Sequence, residues 1–205
     1  RTPVTSGLIL VSVIAAATLT KFDNFWNLCD RLDRTRYLYF APILRKDTRI
    51  VWEPATIAFR RGEIHRLITP IFLHFDILHL LFNMLWLRTL GAAIEMRRGS
   101  WRFALMVVFI AVTSNLAQYL YSHPAFGGMS GVVFGLFGYL WMKSKYDPES
   151  GFFMPPQLVF MMMAWMVFCY FGPLNIANAA HTVGLIVGAL LGLWTTFRRR
   201  VLERR

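Results

Sequence analysis

The amino-acid sequence predicts an all-α polytopic membrane protein, a bundle of six transmembrane helices with a long membrane-associated loop between the first two. Hydrophobic residues make up 56% of the 205-residue chain, whereas roughly 45–50% is usual for a soluble domain. Stretches 2–20, 103–142 and 150–197 contain no Asp, Glu, Lys or Arg. Since one spanning helix needs about 20 mostly apolar residues, the first stretch has room for one helix and the others for two each. We expect a single membrane domain over 1–205, and the absence of an initial Met is compatible with a further segment before Arg1.

Breaks in the apolar pattern separate the six predicted spans. The spans cover about 4–20, 71–94, 103–121, 130–142, 156–171 and 179–197. Glycine and proline interrupt the pattern at Gly127-Gly128, before the fourth span, and at Gly172-Pro173, after the fifth. Residues 21–69 mix aromatic side chains with ten Lys or Arg and six Asp or Glu. This composition favours a loop that lies on the membrane over another span.

The distribution of charge predicts the orientation. The formal net charge is +11, from 22 Lys and Arg against 11 Asp and Glu. Basic residues occupy the turns after the second and fourth spans and the tail after the sixth, as expected of cytoplasmic segments, so both termini should be cytoplasmic. The long loop would then face outward although it is also basic, because long loops are weaker orientation signals. This pattern argues against a nucleic-acid partner and makes the lipid bilayer the expected one.

The predicted orientation brings four polar side chains to one depth. The second, fourth and sixth spans all begin on the outer side, so their first turns should share a layer. These turns hold His79, Asn83, Ser130 and His181. Polar and ionisable groups inside the apolar part of a membrane are costly and usually mark function. We therefore expect the functional site in this layer.

Ser130 opens the fourth span directly after Gly127-Gly128-Met129. Glycines let the backbone turn sharply and approach a ligand closely. The start of a helix also offers free N–H groups and a partial positive charge, which suit the stabilisation of an oxyanion. The alternative interpretation is an ordinary N-cap serine.

His181 shares a helix face with Gly184 and Gly188, and the fourth span carries Gly131 and Gly135. Small residues at this spacing let two helices approach closely, as a serine nucleophile and its base require at about 2.6–3.2 Å. Plain glycine packing beside an interfacial histidine would produce the same pattern. Because the two longest charge-free stretches contain no carboxylate, the expected form is a Ser-His dyad and not a triad.

His79 and Asn83 lie four residues apart and share one helix face. They could hold an oxyanion together with the Ser130 N–H, or they could simply bond a neighbouring helix. A metal site is a rival use for His74, His79 and His181, but a five-residue spacing separates His74 from His79 by about 140° on a helix. The sequence has no HExxH motif or cysteine pair, so we expect no metal and no cofactor.

Three separated motifs resemble those of the bacterial rhomboid intramembrane serine proteases. They are residues 74–83 (HFDILHLLFN), residues 127–131 (GGMSG) and Ala180-His181 with the glycines that follow. The similarity extends from about residue 62 to the C-terminus. It implies a six-helix rhomboid-type bundle, Ser130 as nucleophile and His181 as general base. It also implies an oxyanion hole formed by His79, Asn83 and the backbone of Met129 and Ser130.

The resemblance implies roles for three aromatic residues as well. Phe82 and Trp165 match positions that line a substrate gate between the second and fifth spans. Phe134 stands where the family has a tyrosine that stacks on the catalytic histidine, so that a hydroxyl is lost. His65 replaces the tryptophan of a Trp-Arg pair and Pro70 replaces a common histidine, which are departures from the family pattern.

Taken together, the sequence predicts an endopeptidase of the bacterial inner membrane that cuts transmembrane protein substrates near the outer face. The expected chemistry is serine attack, an acyl-enzyme and hydrolysis by water. A second hypothesis is a catalytically silent module that binds membrane proteins, and the retention of Ser130 and His181 argues against it. A third is a small transporter or channel, which would call for an internal repeat that the sequence does not show.

Overall fold

The computed structural model describes residues 1–20, 35–46, 49–171 and 176–203. Its elements are α1 (Pro3–Ala15), β1 (Ile43–Lys46), β2 (Arg49–Trp52), α2 (Ala55–Arg60), α3 (Ile77–Arg98), α4 (Ser100–Tyr121), α5 (Ser130–Tyr146), α6 (Pro156–Phe171) and α7 (Asn178–Glu203). A π-helical turn, Ala16–Thr20, continues α1, and a second one, Leu87–Gly91, lies within α3. The described part of the chain is therefore mainly helical.

The helices differ in how they could meet a membrane. Among the described helices, α3, α4 and α7 are long and apolar enough to cross one, whereas α1 and α6 are apolar but shorter. In α5, every residue from Gly131 to Leu140 is buried. α5 therefore lies in the core, packed against α3, α4 and α7, as in a multi-pass membrane protein.

The second span begins later than the sequence predicts. The expected start at residue 71 falls in a 3₁₀ turn, Thr69–Phe72, and α3 begins only at Ile77. The carboxylate of Asp76 accepts a hydrogen bond of 2.7 Å from the His79 N–H. This bond caps the helix at its first turn and so determines where the helix can start.

Three helices continue beyond their predicted ends. α3, α5 and α7 pass the predicted ends at residues 94, 142 and 197. In α5 the added turn contains Lys143, which is completely buried. Its Nζ lies 2.5 Å from Asp147 Oδ2 and 3.2 Å from Thr196 Oγ1. Ending the span before the first charged residue was wrong, because a paired charge can be buried at the end of a helix.

The segment between α1 and α3 contains the part of the fold that an all-α prediction missed. Strands β1 and β2 form a two-stranded antiparallel sheet with Ile43 opposite Trp52, and the short helix α2 follows. Residues 21–34 of the predicted loop and the predicted break at Gly172-Pro173 lie outside the described residues.

Arg66 joins two parts of this segment, and it lies next to His65, a predicted departure from the family pattern. Arg66 is buried, and its Nη1 donates to the carbonyl oxygens of Arg36 at 2.7 Å and Tyr39 at 2.9 Å. Its Nε donates to Glu63 Oε2 at 2.5 Å. His65 is exposed. The guanidinium group therefore makes these anchoring contacts without a tryptophan beside it.

The closest helix pair in the described structure is α5 with α7. A Cβ atom added at Gly184 would overlap the carbonyl oxygen of Gly131, and one added at Gly188 would overlap that of Gly135. The two backbones are therefore in direct contact, as small residues permit between helices. This contact sets the distance between the first turns of the two helices.

Candidate active site

Ser130 and His181 lie on the first turns of α5 and α7, and their side chains meet. Nε2 of His181 is 2.7 Å from Oγ of Ser130, which is within the reach that a serine and its base require. His181 is only 3% exposed, whereas Ser130 is partly accessible. The pair therefore combines a shielded imidazole with a hydroxyl that a substrate could reach.

The second ring nitrogen of His181 indicates how the imidazole is protonated. When the Ser130 hydroxyl donates to Nε2, the ring carries its proton on Nδ1. Within the described residues Nδ1 is buried and has no hydrogen-bond partner. No described carboxylate thus stands behind the imidazole in the place that an Asp takes in a triad.

The ring of Phe134 packs against the imidazole. The ring centroids of Phe134 and His181 are 4.7 Å apart and the ring planes are inclined by 36°. Phe134 is almost completely buried on α5. The contact restricts the imidazole by packing alone, since phenylalanine has no hydroxyl to donate.

The first turn of α7 is held by two polar side chains. Gln118 on α4 accepts a hydrogen bond of 3.1 Å from the Ala180 N–H through Oε1. Asn178 donates from Nδ2 to the Cys169 carbonyl of α6 at 3.0 Å. These bonds satisfy one free N–H of the helix start and join the turn that carries His181 to its neighbours. The sequence analysis missed Gln118, although an isolated amide in an apolar span is a signal of a buried contact.

The two glycines before Ser130 are required by close contacts. Gly128 has φ of 118°, in the left-handed region, and its N–H donates to the Pro70 carbonyl at 2.9 Å. A Cβ atom at Gly128 would lie 2.5 Å from His79 Nε2, and one at Gly127 would lie 2.5 Å from Leu73 Cβ. The loop can thus pass against the His79 ring only because both residues lack a side chain. Pro70 thus holds this loop through its backbone carbonyl oxygen.

Several hydrogen-bond donors belong to the turns that begin α3 and α5. Met129 is buried, and its carbonyl accepts the first α5 bond, from the Val133 N–H at 2.9 Å. The Ser130 N–H precedes that bond and has no acceptor within its own helix. Asn83 uses one Nδ2 hydrogen on the His79 carbonyl at 2.9 Å and keeps the second one. The His79 ring lies against Gly128, next to the turn that carries Met129 and Ser130.

His74 is placed differently from what helical spacing suggested. It precedes the N-cap of α3, and its ring centroid lies 5.0 Å from that of His79, so the prediction that the two rings point about 140° apart was wrong. Nδ1 of His74 lies 3.2 Å from the Phe72 carbonyl oxygen. Burial, and secondly the nearby His79, lower the pKa of His74 to about 3. The described residues contain no group of three or more His, Cys, Asp or Glu that could hold a metal ion.

The two predicted gate residues lie on the outer surface of their helices. Phe82 on α3 is 52% exposed and Trp165 on α6 is 46% exposed. The Trp165 ring stacks on Phe168, one turn further along α6, with centroids 5.3 Å apart. Neither ring is therefore enclosed by the helix core.

Comparison with known proteins agrees with the motifs around this site. The family model described as the Rhomboid domain matches residues 61–199, which is more than half of the chain. This chain therefore belongs to the rhomboid family.

Several curated proteins with the name "Rhomboid protease GlpG" are similar to the chain. Those of Salmonella newport (strain SL254), Salmonella paratyphi A (strain ATCC 9150 / SARB42) and Salmonella typhi are each 41% identical to it over 141 residues. Each match covers 67% of this chain and 51% of the relative. The chain thus spans about half the length of the curated relatives it matches.

Proposed function

We propose that this protein is an intramembrane serine endopeptidase that cleaves transmembrane segments of membrane proteins. The observation that carries the proposal is the 2.7 Å separation of Ser130 Oγ and His181 Nε2 in a chain of the rhomboid family. A nucleophile with a general base within hydrogen-bond reach is what covalent acyl transfer needs. A silent binding module would have no use for this arrangement.

In the proposed mechanism the dyad transfers one proton in each half of the reaction. Ser130 Oγ attacks the scissile carbonyl while its proton passes to Nε2 of His181, and the imidazolium then protonates the leaving amine. In the second half, a water molecule from outside attacks the acyl carbon while one of its protons passes to Nε2 of His181. The imidazolium then returns this proton to Ser130 Oγ as the acyl group leaves. Packing against Phe134 holds the ring in orientation, since no described carboxylate bonds Nδ1.

The developing oxyanion would be held by donors from two helices. We assign this role to the Ser130 and Met129 backbone, the free Nδ2 hydrogen of Asn83 and the ring of His79. The position of Ser130 at the start of α5 supports the assignment, because the helix start adds a partial positive charge. Each lost donor of this kind costs about 2.7–4 kcal/mol of transition-state stabilisation.

The proposed setting is one rhomboid-type domain with six spans in a bacterial inner membrane, and with both termini in the cytoplasm. The described contacts support a common polar end, because Arg199 of α7 pairs with Asp147 after α5. Arg97 of α3 lies over Phe152, before α6. Basic residues concentrate at this end, opposite the Ser130 end of α5, as expected for the cytoplasmic side.

The proposed substrate is a transmembrane segment that enters between α3 and α6. The exposure of Phe82 and Trp165 supports this entry route. A helical substrate shields its own amides by hydrogen bonds, so residues that break a helix near the cut should accelerate cleavage.

Cleavage of a single-span model substrate in detergent tests the dyad. We expect Ser130→Ala and His181→Ala each to lower the rate by at least about 10³-fold, because the two groups act as a unit. Ser122→Ala and His65→Ala, which change exposed residues, serve as matched controls and should keep the activity. Persistent cutting in either dyad variant would overturn the proposal.

A fluorophosphonate probe tests the silent-module alternative independently of any substrate. It should label the wild-type protein and not Ser130→Ala. A folded wild-type protein that resists labelling and also leaves the model substrate intact would favour the binding module.

A further inference from the structure

A concave surface lies far from the candidate active site, between the end of α5 and the start of α6. It is a groove of about 220 Å³. Its lining residues are Trp141, Ser144, Lys145, Met154, Pro156 and Val159. Lys145 follows Ser130 by fifteen residues along α5, which corresponds to roughly 22 Å. The groove is therefore separate from the dyad.

The walls of the groove are mainly apolar and the polar groups are at one end. Trp141 and Val159 lie on two apolar helices, and Trp141 is held by stacking on Phe137 with centroids 5.6 Å apart. Ser144 Oγ accepts a hydrogen bond of 3.0 Å from the Met154 N–H. The hydroxyl hydrogen of Ser144 therefore remains available to a ligand. A ligand with an apolar chain and a headgroup that accepts hydrogen bonds matches this arrangement of apolar and polar groups.

Lys145 provides charge complementarity for an anionic headgroup. Three basic neighbours already have partners. Lys143 pairs with Asp147, and Arg199 pairs with Asp147 and Glu149. Arg200 donates to the Tyr146 carbonyl oxygen. Lys145 is exposed and makes no ion pair with any described residue. Its ammonium group instead lies 5.2 Å from the Tyr146 ring centroid. Among the residues that line the groove, Lys145 is the cation that can bind an anion at the polar end.

We propose that this groove binds an anionic phospholipid. The acyl chain lies along Trp141 and Val159, and the phosphate receives hydrogen bonds from Ser144 and Lys145. A bilayer lipid is the occupant because the groove lies between two apolar helices at their basic end. Basic pockets between transmembrane helices at this kind of surface bind anionic headgroups.

Quenching of Trp141 fluorescence by brominated lipids tests the proposal in the full chain. The contribution of Trp141 is isolated by subtracting the signal of Trp141→Phe, since the chain has seven tryptophans. Bilayers would contain either brominated phosphatidylglycerol or brominated phosphatidylcholine. We expect Trp141 to be quenched at a lower mole fraction of phosphatidylglycerol. Lys145→Gln should weaken this preference about fivefold, the usual effect of one basic residue near a membrane surface.

Two further variants separate a specific site from a diffuse charge effect. Arg102→Gln removes another exposed cation, at the start of α4, and should leave the preference unchanged. Val159→Phe fills the groove without a change of charge and should abolish the Trp141-specific quenching. Equal quenching by both lipids would overturn the proposal, because the groove would then merely face acyl chains. Equal losses in Lys145→Gln and Arg102→Gln would overturn it in favour of bulk surface potential.

Discussion

The helices α7 and α6 flank the same candidate site but are held in contrasting ways. α7 touches α5 backbone to backbone, through Gly184 and Gly188. α6 buries only Met162, Met166 and Cys169, and it exposes large side chains. Its exposed aromatic side chains include Phe160 at 76%, Trp165 at 46% and Phe171 at 86%.

The polar contacts between α6 and α7 lie near the site end of α6. Tyr170 and Thr182 share a short hydrogen bond of 2.5 Å between their hydroxyl groups. The Cys169 carbonyl accepts from Asn178, as described above. The rest of α6 presents apolar side chains that a membrane can cover.

This contrast shows how one small bundle can hold two reacting groups at a fixed distance and still leave a route for a substrate to enter. A displacement of the reacting atoms by about 1 Å can lower the rate of a dyad by about 100-fold, so its helices must be closely packed. An entry route needs an element that can move, and such elements have few buried contacts. Rigidity should therefore belong to α5 and α7, and mobility to α6.

The largest expected effect on stability is that of Lys143→Met. This change removes the buried partner of Asp147 on the α5–α7 side, so we expect destabilisation by about 3 kcal/mol. This expected loss of stability is at the low end of the range for breaking a buried ion pair, because Arg199 still contacts Asp147. Denaturation in detergent micelles measures it. Lys145→Met, which changes the exposed neighbour, should stay within about 0.5 kcal/mol, and equal effects would show that Lys143 burial is unimportant.

The next largest effect should come from Gly188→Ala. Its new Cβ would overlap the Gly135 carbonyl oxygen, and overpacking of this kind costs about 1–3 kcal/mol. Because α7 must move away from α5, we also expect cleavage to fall by at least about tenfold through the lengthened Ser130–His181 contact. The matched control is Gly7→Ala, where no atom lies within 4 Å of the added Cβ. An active, stable Gly188→Ala protein would contradict the rigid α5–α7 unit.

The buried His74 should make the site end sensitive to acid. Its folded-state pKa of about 3 lies below the ordinary 6.5, so the unfolded chain binds the proton more tightly. The depressed pKa of His74 makes its full contribution to the free energy of unfolding above pH 6.5. This contribution is lost as the pH falls toward 3, by up to about 1.4 kcal/mol per pH unit. In His74→Phe, the melting temperature should change less between pH 7 and pH 5 than it does in the wild-type protein. If the melting temperature of His74→Phe depends on pH as strongly as that of the wild-type protein, His74 is not the titrating group.

The smallest expected effect is that of Tyr170→Phe on α6. The lost hydrogen bond to Thr182 should lower the unfolding free energy by no more than about 1 kcal/mol. Cleavage should not decrease, because α6 carries no group of the dyad. Denaturation and cleavage assays measure both quantities. A loss of activity as large as that of Gly188→Ala would remove the distinction between the two helices.

Sequence reasoning was strongest where local chemistry is decisive. The apolar stretches indicated where helices form, because helix length in a membrane depends on composition along a single segment. The glycine spacing led to the hypothesis that Gly131 and Gly135 face Gly184 and Gly188, and these backbones are in contact. The roles of Ser130 and His181 remain a prediction until cleavage is measured.

Sequence reasoning was weakest at helix ends and at polar groups whose partners are distant in the chain. The predicted fourth span ends before Lys143, since a charge is expected to end a span, but Asp147 and Thr196 allow its burial. His74 was treated as helical, although the Asp76 cap excludes it from α3. Gln118 was overlooked because its partner, the Ala180 N–H, lies 62 residues away.

The sequence by itself determined the class of protein, the order of its apolar helices and the residue types available for a hydrolytic site. These follow from composition and spacing, which act along one segment at a time. Only the tertiary structure decided which groups lie within 3 Å of each other, which cation is buried and which helix remains loosely held. Those properties depend on desolvation and on contacts between distant segments, and no single segment contains that information.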